Sequence, residues 1–314
     1  MERNSILTDR QTDRQTDRQT DRQTDRRNTT WNRILMKNRA VLRNAANIVL
    51  SRKNRVNLNS WINPDIPHNN VGDYLYKVVV DHVCLLKGID PEQPVSGTKH
   101  LYAVGSLLLG YQDATIWGSG FGYDRSRTWY APLLAVFHKL YHKTDIRAVR
   151  GPLTRNILLR MGYVCPELYG DPAVLMPLFY LGNSVRCSRD YVLIPHYSQW
   201  EKYKGNPHLL GTFTKDYQQF IDRILEARLV ISSSLHGIIL AEAYGIPAVM
   251  LKDTPSEDIT KYKDWYASTG RTQFPIACSV EHALELGGTS LDYSVIERMQ
   301  SDLLNSFPVD LWNE

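Results

Sequence analysis

The sequence predicts an α/β protein built as two halves, each a parallel sheet covered by helices, with a cleft between them. Three observations lead there. From about residue 56, short β-prone runs alternate with longer segments of helical apolar spacing. The alternation comes in two series, the second starting near residue 190. Several strands end in Gly, Ser, Arg or His just before a helix, and in such sheets ligands bind beyond the carboxyl ends of the strands.

VNLNSW, residues 56–61, reads as the first strand. The loop INPDIPHNNVGD follows, then a helix over YLYKVVVDHVCLLKG that Gly88 closes. HLYAVG and TIWGSG are short apolar runs, each ending in glycine. PLLAVFHKLYH reads as helix and IRAVR as strand. GPLTRNILLRMG is a helix with Pro152 in its first turn and Gly162 at its end. In the second series YVLIPHYS, RLVISSS and PAVMLK are strands, and KDYQQFIDRILEA and HGIILAEAYG are helices. SEDITKYKDWYASTG and DYSVIERMQSDLLNSF complete it as helices. The expected division is one Rossmann-like half over residues 56–185 and another over 186–314 with a closing helix.

Residues 1–33 are different material. Residues 8–27 repeat Thr-Asp-Arg-Gln without an apolar side chain, so they have nothing to bury and are expected to be disordered. A tandem ACAG repeat read in threes encodes that unit, which suggests a translated microsatellite and a working start at Met36. Residues 34–55 are expected to form a basic amphipathic leader helix, with Arg39 and Arg43 among apolar positions; it reads as packed on the domain or as a poorly ordered leader, with peripheral membrane contact as the alternative. A net charge of +4 over 314 residues gives no case for nucleic acid. The four scattered cysteines have no metal-ligand or CxxC spacing and read as free, mostly buried thiols in a reducing compartment. No apolar run spans a bilayer and no signal-peptide pattern opens the chain, so a cytoplasmic location is expected.

Candidate ligand residues are collected at strand ends. At Asn70, Gly72 and Asp73 a glycine lets backbone N–H groups approach an anion at a positive helix end; Asp73 has the alternative of being the N-cap. The GxGxxG fingerprint is absent, which disfavours a nicotinamide cofactor. Gly105 and Ser106, and Gly118, Ser119 and Gly120, leave room at two further strand ends, as a tight turn would also require. Arg150 precedes a helix N-terminus, where like signs meet. An anion in its planar fork resolves the conflict, and so does an ion pair to a carboxylate such as Asp171. Asp171 by itself reads as an Asx turn before Pro172. His196 and Tyr197 are acceptor candidates, with packing as the alternative for His196; Trp61, Trp117, Tyr123 and Trp129 are further acceptor aromatics, and each of the aromatics reads equally as core.

His236 sits in the first turn of a helix apolar nearly all round, hence buried. The positive helix end depresses an imidazole pKa there, and a bound phosphate raises it again. Serines 232 to 234 are expected to supply an N-cap and hydroxyl donors. With Leu235 and Gly237 they complete an anion site holding its own proton donor, unless His236 is a satisfied structural residue. Glu242 on the same helix needs a partner, expected to be an ion pair.

The segments NNVGD, WGSG, VRGPLT, GDPAVLMP, SSSLHGIILAEAYGIPAV and KYKDWYASTGR together resemble the polysaccharide pyruvyl transferase family, in its bacterial exopolysaccharide branch, over roughly residues 56–310. The resemblance implies a fold similar to GT-B glycosyltransferases. It implies phosphoenolpyruvate as donor, a saccharide as acceptor (lipid-linked at the inner face of the membrane in one version), a pyruvyl ketal as product, and neither cofactor nor metal. By position Arg150 matches the family's donor-binding arginine, and His236 the histidine assigned to donor binding or acid catalysis. Ser234 stands where some relatives carry arginine, leaving Arg271, Lys252 or Lys261 to replace the charge. The rival readings are a GT-B glycosyltransferase using a nucleotide sugar and a non-catalytic sugar or nucleotide binding protein.

Overall fold

Short, fully buried strands dictate the architecture. The structure, a computed structural model, describes residues 52–58, 70–105, 113–122, 136, 139–183, 187–254 and 258–313. The repeat and nearly all of the leader helix lie outside those residues, as do Ser106, Trp61, Tyr123 and Trp129 and most of the helix read over residues 132–142.

The first sheet holds β1 (Val56–Leu58), β2 (Lys99–Tyr102), β3 (Ala114–Trp117) and β4 (Thr144–Ala148), all parallel in the order β1-β2-β3-β4. The second holds β5 (Val192–Ile194), β6 (Val230–Ser232), β7 (Ala248–Leu251) and β8 (Ile276–Ala277), again parallel and in chain order. Every residue of β3, β5, β6 and β7 is buried, as parallel sheets covered on both faces require. The α/β class and the two series of strands are therefore as read from the sequence. Strand β8 and the helix Val280–Leu286 after it were not anticipated, because the two-residue strand is too short to show a period.

Four helices set the site. α1 (Val71–Leu86) follows β1, α2 (Pro152–Arg160) follows β4, α3 (Leu235–Ala243) follows β6 and α4 (Thr260–Ser268) follows β7. Every residue of α3 except His236 is buried. Ile238, Ile239 and Leu240 each contribute about 1.5–3 kcal/mol of burial. One hydrophobic cluster runs from Leu75 and Val79 of α1 through α3 to Trp265 of α4. It continues into α5 (Tyr293–Asn305), where Leu303 belongs to it. α5 also receives the indole N–H of Trp117 at its Leu303 carbonyl, 3.0 Å. That bond and full burial make Trp117 a core residue rather than an acceptor aromatic. Of the cysteines, Cys84 and Cys165 are buried and Cys187 and Cys278 exposed, all as free thiols, so burial holds for half of them.

Candidate functional site

The ends of β3 and β4 in the first sheet are occupied by protein, whereas a Cβ on Gly105, after β2, would meet nothing within 4 Å among the described residues. Arg150 is 0% exposed. Its Nε lies 3.3 Å from Oδ2 of Asp264, and its two terminal nitrogens donate to the carbonyls of Gly105 and Phe121. The ion pair weighed against an anion at Arg150 is thus present, with Asp264 as partner rather than Asp171. The room expected beside Gly118, Ser119 and Gly120 is filled. A Cβ on Gly120 would stand 2.6 Å from the guanidinium carbon, and one on Gly118 would stand 2.3 Å from Pro172. Ser119 is fully buried and donates to the Gly105 carbonyl, 3.3 Å. Here Gly120 makes space for an arginine and Gly118 for a proline.

α4 closes this end. Asp264 accepts from the backbone N–H of Thr154 at 3.0 Å and from its hydroxyl at 2.6 Å, locking α4 to the start of α2. A Cβ at Gly151 would stand 2.0 Å from the Asp264 carbonyl oxygen. The sequence signal for Asp264 was a charge between the buried aromatics Tyr262, Trp265 and Tyr266, which demands a partner. Glu242 has the expected ion pair: Arg271 forks onto both its oxygens at 2.7 Å, and the Trp265 indole donates to it as well. Arg271 is therefore committed to Glu242.

The start of α1 and the ends of the second sheet differ. Asn70, not Asp73, caps α1, accepting the Gly72 N–H at 3.1 Å; Asp73 occupies the third helical position. Val71 N–H donates to the Thr212 carbonyl at 2.7 Å, tying α1 to the second half. Two of α1's first donors are thus taken, and Gly72 serves another purpose. A Cβ there would lie 2.1 Å from Nδ1 of His236, so only glycine seats the imidazole against α1. The serines lash strand ends together rather than capping α3. Ser232 Oγ accepts from Ser234 N–H at 2.9 Å and lies 2.8 Å from the Ile194 carbonyl; Ser233 Oγ accepts from His196 N–H at 2.8 Å. Gly237 is needed because a Cβ would meet Ser232 Oγ at 2.6 Å. Ser234 stands at the N-cap position, yet its side chain makes no cap bond, and Leu235 beside it is buried.

His236 lies at this uncapped helix start with 13% of its side chain exposed. Its pKa is pushed down to about 3, first by burial and then by the positive charges of Arg150 and Lys261. Asp171 caps the turn Pro172–Leu175 as the Asx reading foresaw, accepting the Ala173 N–H at 3.1 Å. What the sequence did not show is that its other oxygen faces His236 Nε2 at 3.8 Å. His196 has a pKa pushed down to about 4 by burial and then by Lys261, and its ring lies 4.2 Å from that of Tyr197. Lys261 thus acts on both histidines. Among the described residues no cluster of His, Cys, Asp and Glu fits a metal, and no helix is long and apolar enough to cross a membrane.

The chain is 30% identical over 223 residues to the succinoglycan biosynthesis protein ExoV of Rhizobium meliloti (strain 1021). The match covers 66% of this chain and 64% of that relative's length. Residues 70–253, more than half of the chain and the span from the α1 cap to the end of β7, match the polysaccharide pyruvyl transferase family. The chain belongs to the polysaccharide pyruvyl transferase family.

Proposed function

We propose that this protein moves pyruvate from phosphoenolpyruvate onto two hydroxyls of a saccharide, forming a pyruvyl ketal in exopolysaccharide biosynthesis, with no cofactor or metal. The observation that carries the reading is His236: a partly accessible imidazole at an uncapped helix start, held neutral by burial and two cations. Such a site gains most from an anion, which satisfies the helix N-terminus, offsets Arg150 and Lys261, and returns the imidazole to its protonated form. The two Rossmann-like halves then face each other across a cleft, with the donor on α3.

The proton balance suits one acid–base group. The imidazolium protonates the methylene carbon of the enol, and the adjacent carbon becomes oxocarbenium-like. One saccharide hydroxyl adds there. Phosphate then leaves and a second hydroxyl closes the ketal. The two hydroxyls give up two protons; one replaces the proton lost to carbon and the other leaves on the phosphate. His236 starts and ends protonated in the donor complex.

The geometry supports a role for each charged and aromatic group. Lys261 supplies the charge missing at Ser234, since Arg271 is bound to Glu242 and Lys261 acts on both histidines. Arg150 acts from beneath, through its field and its hold on Gly105 and Phe121. The His196–Tyr197 ring pair offers a stacking platform for the acceptor sugar. A lipid-linked acceptor, met at the cytoplasmic face of the inner membrane, fits the basic character of residues 34–50.

The test is a thermal-shift titration of the full chain with phosphoenolpyruvate, inorganic phosphate and nucleotide sugars, followed by assay of phosphate release with saccharide. Phosphoenolpyruvate raises Tm in the wild type and not in His236→Ala or Lys261→Ala. Calorimetry in buffers of different ionisation enthalpy shows proton uptake on binding, because the anion lifts the His236 pKa from its depressed value. Stabilisation by a nucleotide sugar alone, with nucleotide released, assigns glycosyl transfer instead.

A further inference from the structure

We propose that Asp171 is the positioning residue of His236, holding the proton on Nε2 so that Nδ1 is the nitrogen that meets the donor. This deepens the function proposed above and rests on it only for the donor's identity.

The case begins with two buried atoms that face each other. Asp171 is 0% exposed, and its two oxygens have different fates. Oδ1 accepts the Ala173 N–H. Oδ2 has no hydrogen-bond partner among the described residues, and neither does His236 Nε2, 3.8 Å away. An unpaired buried polar atom costs about 1–3 kcal/mol, so two that oppose each other call for a reason. One is an acceptor and the other can carry a proton. A closure of about 1 Å makes them a charge-assisted hydrogen bond.

The other edge of the ring points elsewhere. Nε2 is buried, yet the side chain keeps 13% of its area exposed, so the accessible edge is that of Nδ1. That edge lies against Gly72, where the missing side chain is what leaves it uncovered. A neutral imidazole has one N–H, and the partner of one nitrogen fixes the role of the other. A carboxylate at Nε2 selects the Nε2–H form and leaves Nδ1 as the base. Donor binding then puts the second proton on Nδ1, beside the incoming enol, with Asp171 balancing the imidazolium.

The charges around the pair agree. Asp171 is faced by Arg150 and Asp264, and His236 by Arg150 and Lys261. Burial, partly offset by Arg150 and the Ala173 N–H, lifts Asp171 to about 6, so at neutral pH it is mostly a carboxylate. His236, at about 3, is neutral until an anion arrives.

Asp171→Asn separates the two roles of the side chain. Asparagine caps as well as aspartate, so Oδ1 keeps the Ala173 N–H, while its amide now donates toward Nε2. The experiment is nitrogen NMR of histidine-labelled, ligand-free full-length protein at pH 7, with the His236 signals assigned by their loss in His236→Gln. The wild type shows the Nε2–H tautomer. Asp171→Asn switches it to Nδ1–H, and kcat for phosphate release falls about 100-fold while the donor KM stays within about threefold. An Nδ1–H tautomer in the wild type overturns the proposal, and so does an unchanged tautomer or kcat in the variant. Should Asp171→Asn fail to fold, the wild-type tautomer alone decides. Should phosphoenolpyruvate prove not to be the donor, the tautomer measurement stands, because it contains no donor.

Discussion

The two sheets present the same short vocabulary at their strand ends, small residues and a basic residue beside a helix start, and use it for different purposes. At the first sheet Gly120 makes way for Arg150, whose guanidinium is fully enclosed and paired with Asp264. At the second, Gly72 of α1 makes way for His236, whose Nε2 and facing carboxylate oxygen have no hydrogen-bond partner among the described residues and whose helix start lacks a side-chain cap. Arg150 is paired by protein, and His236 is not hydrogen-bonded through Nε2 among the described residues. A glycine at a strand end therefore says that something approaches closely, not whether it is a ligand or a side chain.

The largest effect that tests this contrast is expected at the Arg150 end. Asp264→Ala leaves the Arg150 charge buried without its carboxylate and frees the Thr154 N–H and hydroxyl. Breaking a buried pair in this way costs about 3–5 kcal/mol, read by urea unfolding of the full chain. A loss below about 1 kcal/mol would mean that Arg150 is not held mainly by Asp264, and the first sheet's end would be no more closed than the second's.

A paired glycine experiment is next in size and separates stability from activity. In Gly120→Ala the new methyl presses on Arg150, costing about 1–3 kcal/mol of overpacking. In Gly72→Ala a helical position gains about 1 kcal/mol of propensity, which offsets part of the strain of displacing the imidazole. Its stability changes little, while phosphate release falls about 100-fold because the ring is displaced. Equal stability losses in the two variants, with activity intact in Gly72→Ala, would remove the distinction.

Much of the fold was legible because strand and helix periods are local. The parallel sheets, the buried α3, the need of Glu242 for a partner and the Asx turn at Asp171 all follow from patterns within a dozen residues; the partner itself, Arg271, lies 29 residues on. The site was legible only where a residue's own neighbourhood betrays it, as for His236 at a helix start. Arg150 was flagged by the same reasoning, but its partner was not, because Asp264 is more than a hundred residues away. The approach of Asp171 to His236 is likewise a tertiary fact: each has a complete local explanation, and only packing of α3 against the turn at Pro172 brings the two together. Capping was misread for a related reason. Asp73 and the serines have the right chemistry for caps, but Asn70 takes one role and the joining of strand ends takes the other.

The smallest expected effect concerns those two helix starts. Asn70 caps α1 through a hydrogen bond, so Asn70→Ala should cost about 1 kcal/mol. Ser234 holds the same position on α3 without a cap bond, and Ser234→Ala should stay within about 0.5 kcal/mol of the wild type. Matched urea curves on the two variants measure the difference. If Ser234→Ala costs as much as Asn70→Ala, the hydroxyl caps α3 in solution and the protein satisfies its own helix start. The N–H groups beside His236 would then not be waiting for a phosphate, and the anion reading would rest on Lys261 and the imidazole alone.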